Sequence, residues 1–437
     1  MKAIHADLLD FTAAPAWGDT QSSAVRWRPA HWLLVGDDGR IAAVQADAPG
    51  PQWQRVEHGG RLLMPGFIDS HVHSPQIGVM ASYGTELLDW LHTYTFPAES
   101  AWADPATAAA GSALFLDALL AHGTTAAVIF PTVHKVSADA LFLAASERGM
   151  RVIAGKVLMD RHAPADLLDD TADVARTERD CVDLIQRWHG RGRNSYAVTV
   201  RFAPTSTPAQ LAMAGALCRA DPTLYMQTHV AENRAEVQWV SELFPQARSY
   251  LDVYAGHGLL HSRSVLAHGI WLDADDRSAL AHTGAQIAFC PSSNLFLGSG
   301  LFDWQATAQA GAAVSVASDV GGGTSLSLQR TLADGYKVQA MAGQRLTAWT
   351  ALHAATRGAA HALHLGHEIG ALEPGLVADF CLWDWSAGSV DAQRQQMARN
   401  LHEKVFAWMT LSDERHLAST WVAGQERFVR EHMKEAA

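Results

Sequence analysis

From about residue 104 to residue 319 the chain repeats one phrase: a helical stretch, a turn, then a short strand-like run. Asp104 followed by Pro105 reads as an N-cap with proline at the first helical position. The helix runs on through "ATAAAGSALFLDALLAH" to Gly123, a natural stop. "TTAAVIF" follows as a strand. Ser137 opens a second helix that ends at Gly149, and "RVIAGKVLM" is the next strand. A third helix over 173–188 precedes "YAVTVRF". Thr207 and Pro208 open a fourth, before "LYMQTH". Further helices near 233–243, from about 273, and over 303–310 precede "SVLAH", "AQIAFC" and "AAVSVASD". With "RLLMPGFIDSHVH" as the first strand, the count is eight. Strands alternating with helices of this length imply parallel βαβ units. Eight units imply an α/β fold of the (β/α)8 TIM-barrel type, with an open doubly wound sheet as the alternative.

The two ends read differently. Residues 1–62 contain "HWLLVGDDGRIAAVQ", two strand-like runs around the turn pair Asp38-Gly39. Residues 370–437 contain "GALEPGLVADFCLWDW" and "STWVAGQERFV", again short strands broken by glycine. The expectation is one small β-sandwich domain built from both termini, beside a barrel over 63–369. Composition narrows the function classes. No apolar run reaches the ~18 to 20 residues of a membrane span, and "MKAIHADLLDF" lacks the parts of a secretory signal. A cytoplasmic protein without a membrane partner is expected. The four cysteines form no C-x-x-C, so no zinc ribbon is supported. A net charge of −12 argues against a nucleic-acid partner, whose phosphates call for Lys and Arg. A small-molecule substrate fits better.

Polar residues gather at strand ends. Side chains two apart on a strand share a face, so His71 and His73 point the same way. In a barrel that end is the catalytic mouth. "YMQTH" ends in His229, "SVLAH" in His268 and "VSVASD" in Asp319. Five ionisable groups on otherwise apolar strands would be costly to bury unpaired. A cation held by imidazole nitrogens and a carboxylate at about 2.0 to 2.2 Å resolves that cost. The expected ligands of a single ion are His71, His73, His229 and Asp319, with His268 hydrogen-bonded to the attacking water. Zinc suits this donor set, and Fe²⁺, Mn²⁺ or Co²⁺ also fit. Strand four offers Arg201, which cannot serve as a bridging lysine between two ions, although Lys156 on strand three is not excluded by order alone. Glu232, three residues past His229, is placed for proton transfer or, alternatively, is a helix N-terminal acid.

Together "PGFIDSHVH", the H-x-x-E of "HVAE", "LAH" and "SVASD" resemble the amidohydrolase superfamily. "HVHSPQ", "YGTELLDWLHTYTFPAE", "AGKVLMDR", "RFAPTSTP", "THVAEN", "YLDVY" and "FCPSSNLFLGSGLF" are similar to the guanine deaminase family within it. The resemblance implies a purine substrate, one Zn²⁺ per subunit and a homodimer. It further implies Glu232, Asp319 and His268 as the catalytic residues. The expected purine contacts are His73, Ser74, Pro75, Gln76, Trp90, Arg201, Phe202, His229, Glu232 and Asp319. Gln76 offers a donor and an acceptor, whereas Arg201 only donates, which suits the O6/N7 side of guanine. Phe202 or Trp90 would supply an apolar wall. Ser74 stands where many relatives carry an aromatic residue, and its small side chain is expected to widen the pocket. The H-x-E and P-C-x-x-C signature of the other zinc deaminases is missing. A sibling acting on 8-oxoguanine, a pterin, cytosine or a triazine is the enzyme alternative, and a non-catalytic scaffold the alternative of another class.

Overall fold

The computed structural model describes residues 1–83 and 87–430. Residues 84–86 of the "YGTELLDWLHTYTFPAE" segment, and 431–437 of the C-terminal segment, lie outside them. Four N-terminal strands come first: β1 (Lys2–Phe11), β2 (Val25–Val35), β3 (Ile41–Gln45) and β4 (Gln54–Pro65). The barrel strands follow: β5 (Phe67–His73), β6 (Thr124–Phe130), β7 (Arg151–Ala154), β8 (Val157–Leu158), β9 (Asn194–Val200), β10 (Tyr225–Val230), β11 (Ser264–His268), β12 (Gln286–Phe289) and β13 (Ala313–Val316). The chain ends with β14 (Phe380–Trp383), β15 (Leu417–Val422) and β16 (Gln425–Val429).

Asp104 and Thr207, read from the sequence as caps, start their helices, and four of the other expected helix starts also carry capping residues. Asp104, Asp173, Thr207, Asn233, Asp273 and Asp303 each accept a hydrogen bond from a backbone N–H of the first turn. The second helix, Lys135–Arg148, starts two residues before Ser137 and ends on Gly149 in a left-handed conformation. "RVIAGKVLM" is two strands rather than one. They part at Gly155, where a Cβ would lie 1.9 Å from the Ala197 carbonyl oxygen.

The barrel strands run in the order β13-β12-β11-β10-β9-β7-β6-β5, with β8 paired to β9. The ladders are parallel. Between β5 and β13 the seam closes just beyond the strands: the Asp319 N–H donates to the His71 carbonyl (3.0 Å) and the His73 N–H to the Val320 carbonyl (2.8 Å). The buried Asp69 carboxylate latches the same seam, accepting from the Ser318 N–H (3.0 Å) and the Ser318 hydroxyl. Small and branched side chains fill the interior, among them Ile68, Val128, Ile153, Val265 and Ala288, and Ala359, Leu363 and Ile369 pack against them. Helices cover the outside. Removing their buried apolar surface from water, at roughly 25 cal/mol per Å², is the main source of stability.

The terminal strands form one seven-stranded sheet, ordered β16-β15-β14-β4-β1-β2-β3. It curls so that its ends meet: a Cβ on Gly39, in the β2–β3 turn, would lie 2.4 Å from the carbonyl oxygen of Ala423 in the β15–β16 turn. Ile4, Leu33, Ile41, Phe380 and Trp421 pack inside the curl. Among the described residues no helix is long and apolar enough to cross a membrane.

Candidate active site

The first strand carries an irregularity that aims the site. The β5–β6 register slips between Asp69 and Val72. Ile68 packs in the barrel interior while Phe67 and Val72 pack in the outer layer. The slip re-aims side chains, as bulges do, and brings His71 and His73 to the mouth together. Their Nε2 atoms stand 3.2 Å apart, and each is 3.2 Å from Nε2 of His229. Asp319 Oδ1 lies 3.2 Å from His71 Nε2 and 3.4 Å from His73 Nε2. Four ligands at about 2.1 Å around a tetrahedral ion stand roughly 3.4 Å apart. The four side chains therefore match one small cation. His229 is oriented for it: Nδ1 donates to the Arg201 carbonyl at 2.6 Å, leaving the Nε2 lone pair facing the cage. A looser set of His71, His229, His268 and Asp319 has ligand atoms within 4.8 Å of one another. His268 Nε2 is 3.7 Å from the nearer Asp319 oxygen, so the tighter set with His73 is the better cage.

Two of these residues sit in unusual backbone. His268 has φ 73° and Asp319 φ 50°, a left-handed conformation that side chains with a Cβ rarely adopt. Such strain gathers where geometry is dictated by a site. His268 Nδ1 is 2.9 Å from Asn294 Oδ1, and its Nε2 is buried without a hydrogen-bond partner. That nitrogen faces Glu232 Oε2 at 3.5 Å. Glu232 Oε1 accepts from the Ser299 hydroxyl at 2.9 Å. Glu236 braces the loop, its Oε2 accepting from the Glu232 and Asn233 N–H groups and its Oε1 from the Tyr250 hydroxyl.

Opposite the cage, Gln76 and Arg201 meet on Glu99. Glu99 Oε1 accepts from Gln76 Nε2 (2.9 Å) and Oε2 from Arg201 Nη1 (2.5 Å). Gln76 Oε1 in turn accepts from the Gly321 N–H at 3.2 Å. One cavity is lined by His73, Gln76, Trp90, Arg201, Phe202, His229, Glu232, His268 and Asp319, with Leu91, Glu236, Leu297 and Gly322. Ser74 and Pro75 are not part of that lining. The Ser74 hydroxyl donates to the Phe130 carbonyl at 3.4 Å. Lys156 is likewise absent from that lining and is ion-paired with Asp169.

A model of the family described as "Amidohydrolase family" matches residues 62–427. The chain belongs to the amidohydrolase family. It is similar to a guanine deaminase of Escherichia coli (strain K12), 41% identical over 430 residues that make up 97% of each chain. The solved structure of an E. coli guanine deaminase superposes with a TM-score of 0.93 at 38% identity, covering 98% of this chain and 99% of that one. A guanine deaminase structure from Bradyrhizobium japonicum gives a TM-score of 0.93 at 32% identity, with the same coverage.

The electrostatics of this amidohydrolase separate its carboxylates. Burial, then the charge of Asp319, push the Glu232 carboxyl up to about 8, against a weaker opposing hydrogen bond from Ser299. Both effects favour the protonated form of Glu232. Burial also acts on Asp319, but hydrogen bonds from His71 and His73 outweigh it and hold the carboxyl well below its usual range. Burial lowers His71, His73 (to about 4) and His229, which keeps the imidazoles neutral as ligands must be. Two carboxyls whose affinities for a proton are pushed apart in this way can serve as acid and base in a hydrolysis. Glu99 is the residue the sequence reading passed over. Its segment "TYTFPAE" has no strand or helix period, so its only signal was a glutamate inside a long apolar excursion.

Proposed function

We propose that this amidohydrolase converts guanine and water to xanthine and ammonia, with Zn²⁺ as the cation and Fe²⁺ as the alternative. The observation that carries the reading is the single cavity in which a neutral acid and an ionised base face a donor-bearing edge. His71, His73, His229 and Asp319 are the proposed ligands. A bound cation there acts as a Lewis acid that lowers the pKa of water towards about 7.

The chain's own groups supply the rest. Asp319 accepts a proton from water as its oxygen attacks C2 of the purine. Protonated Glu232 donates to N3, so charge does not build up on the ring. His268 hydrogen-bonds the attacking oxygen through its free Nε2. As the C2–N bond breaks, the proton on Asp319 goes to the departing amine. The C2 hydroxyl proton returns to Glu232. One water hydrogen thus ends on ammonia, and the other replaces on Glu232 the proton given to N3. Arg201 and Gln76 hold the O6/N7 side, and Phe202 and Trp90 flank the ring.

The assay is loss of the guanine absorbance band with release of ammonia. Turnover of a pterin, cytosine or triazine, with guanine untouched, would replace this reading by a sibling activity. The family resemblance also supports a homodimer in the cytoplasm. Sedimentation velocity and cell fractionation test those two points.

A further inference from the structure

The residue that joins Gln76 to Arg201 has a role of its own. Glu99 lies on the short helix Phe96–Ser100 and is fully buried. Each of its oxygens serves a different partner, Oε1 the Gln76 amide and Oε2 the Arg201 guanidinium. The same helix supplies Phe96, whose ring centroid is 5.3 Å from the Arg201 Cζ. The chain of contacts continues from Gln76 to the Gly321 N–H, two residues past Asp319. Among the described residues Glu99 is the one carboxylate in ion-pair range of Arg201.

Charge decides what such an edge accepts. A buried guanidinium without a counter-ion draws anions strongly. Paired with Glu99 it is a hydrogen-bond donor without net charge. Guanine binds as a neutral ring, whereas xanthine carries a second carbonyl and ionises at a lower pH. We propose that Glu99 is a positioning and charge-balancing residue: it aims Gln76 and Arg201 at the purine edge and keeps that edge neutral, so the pocket takes guanine and lets the more acidic product go. The inference rests on the guanine reading above.

The test uses the metal-loaded full chain, with guanine turnover and xanthine inhibition followed from about pH 6 to about pH 9. Glu99→Gln keeps an oxygen acceptor and removes the charge. The expected result is a rise in KM for guanine of about tenfold, with a smaller change in kcat. Xanthine inhibition should tighten with rising pH relative to the unsubstituted protein. Arg201→Gln leaves the Glu99 charge bare, and its xanthine inhibition should instead weaken with rising pH. That variant decides the matter alone should Glu99→Gln fail to fold. Xanthine inhibition with the same pH slope in the original chain and in whichever variants fold would overturn the proposal. If the original chain releases no ammonia from guanine, the functional reading fails instead, and the two failures are told apart by that first measurement.

Discussion

The two walls of the cavity are built in contrasting ways. The cage wall grows out of barrel strands: His71 and His73 on β5, His229 on β10, His268 on β11 and Asp319 just past β13. The opposite wall is carried partly by an excursion between β5 and β6, where Gln76 lies in a 3₁₀ turn and Glu99 on a five-residue helix. Strand-borne groups are fixed by ladders of backbone hydrogen bonds and are suited to chemistry that tolerates little displacement. Excursion-borne groups are held by side-chain contacts and can vary with the substrate while the barrel stays constant. The comparison predicts that damage to the first wall removes catalysis, and damage to the second changes recognition.

The largest effect should come from His229→Ala. It removes one proposed ligand, and metal analysis should find the cation lost together with detectable turnover. A variant that keeps a full complement of metal and activity would take His229 out of the cage. Next, Glu232→Gln should retain the cation while kcat falls by about 10² to 10⁴. Unchanged turnover would mean that another group moves the proton. Arg201→Ala tests the other wall: KM for guanine should rise about 10- to 100-fold, more than kcat falls. A KM equal to that of the original chain would separate Arg201 from the substrate.

A pH experiment on metal-stripped protein tests the electrostatics without catalysis. Glu232, Asp69 and Glu236 are each raised mainly by burial, to about 8, about 7 and about 7. They hold protons in the fold and release them on unfolding, so stability falls as pH rises through those values. The cage histidines act in the opposite sense, because they are neutral in the fold and charged when unfolded below 6.5. That contribution fades over about one pH unit above 6.5. Relative to a stripped Glu232→Gln variant, whose side chain cannot ionise, thermal unfolding of the stripped protein should therefore move to lower temperature between about pH 6.5 and about pH 8. A difference between the two midpoints that stays constant over that interval would contradict the raised affinity of Glu232 for its proton. The smallest effect expected is that of Asp69→Asn at the seam. It puts a donor where the Ser318 N–H and hydroxyl already donate, and unfolding measurements should show a loss of about 1 to 3 kcal/mol.

Legibility followed the same division. Helix starts were readable because Asp104, Thr207 and Asp273 cap through local hydrogen bonds that depend on neighbours in sequence. The histidines were readable because a polar group ending an apolar run has few inexpensive explanations. The register slip in β5 was not, since alternation alone would keep Ile68 and His71 on opposite faces. The pairing of Glu99 with Gln76 and Arg201 was not either. Those contacts span 23 and 102 residues, and no local period announces them.

The seam between β5 and β13 bears on how the enzyme is assembled. Asp69 and Ser318 are 249 residues apart, and two proposed ligands stand on one side of that join with a third on the other. A cation bound there is a cross-link between the barrel's first strand and its last. It restricts the open chain much as a disulfide closing a long loop would. Activity thus reports circular closure of the barrel rather than secondary structure alone, and a chelator and a mild denaturant act on one and the same join.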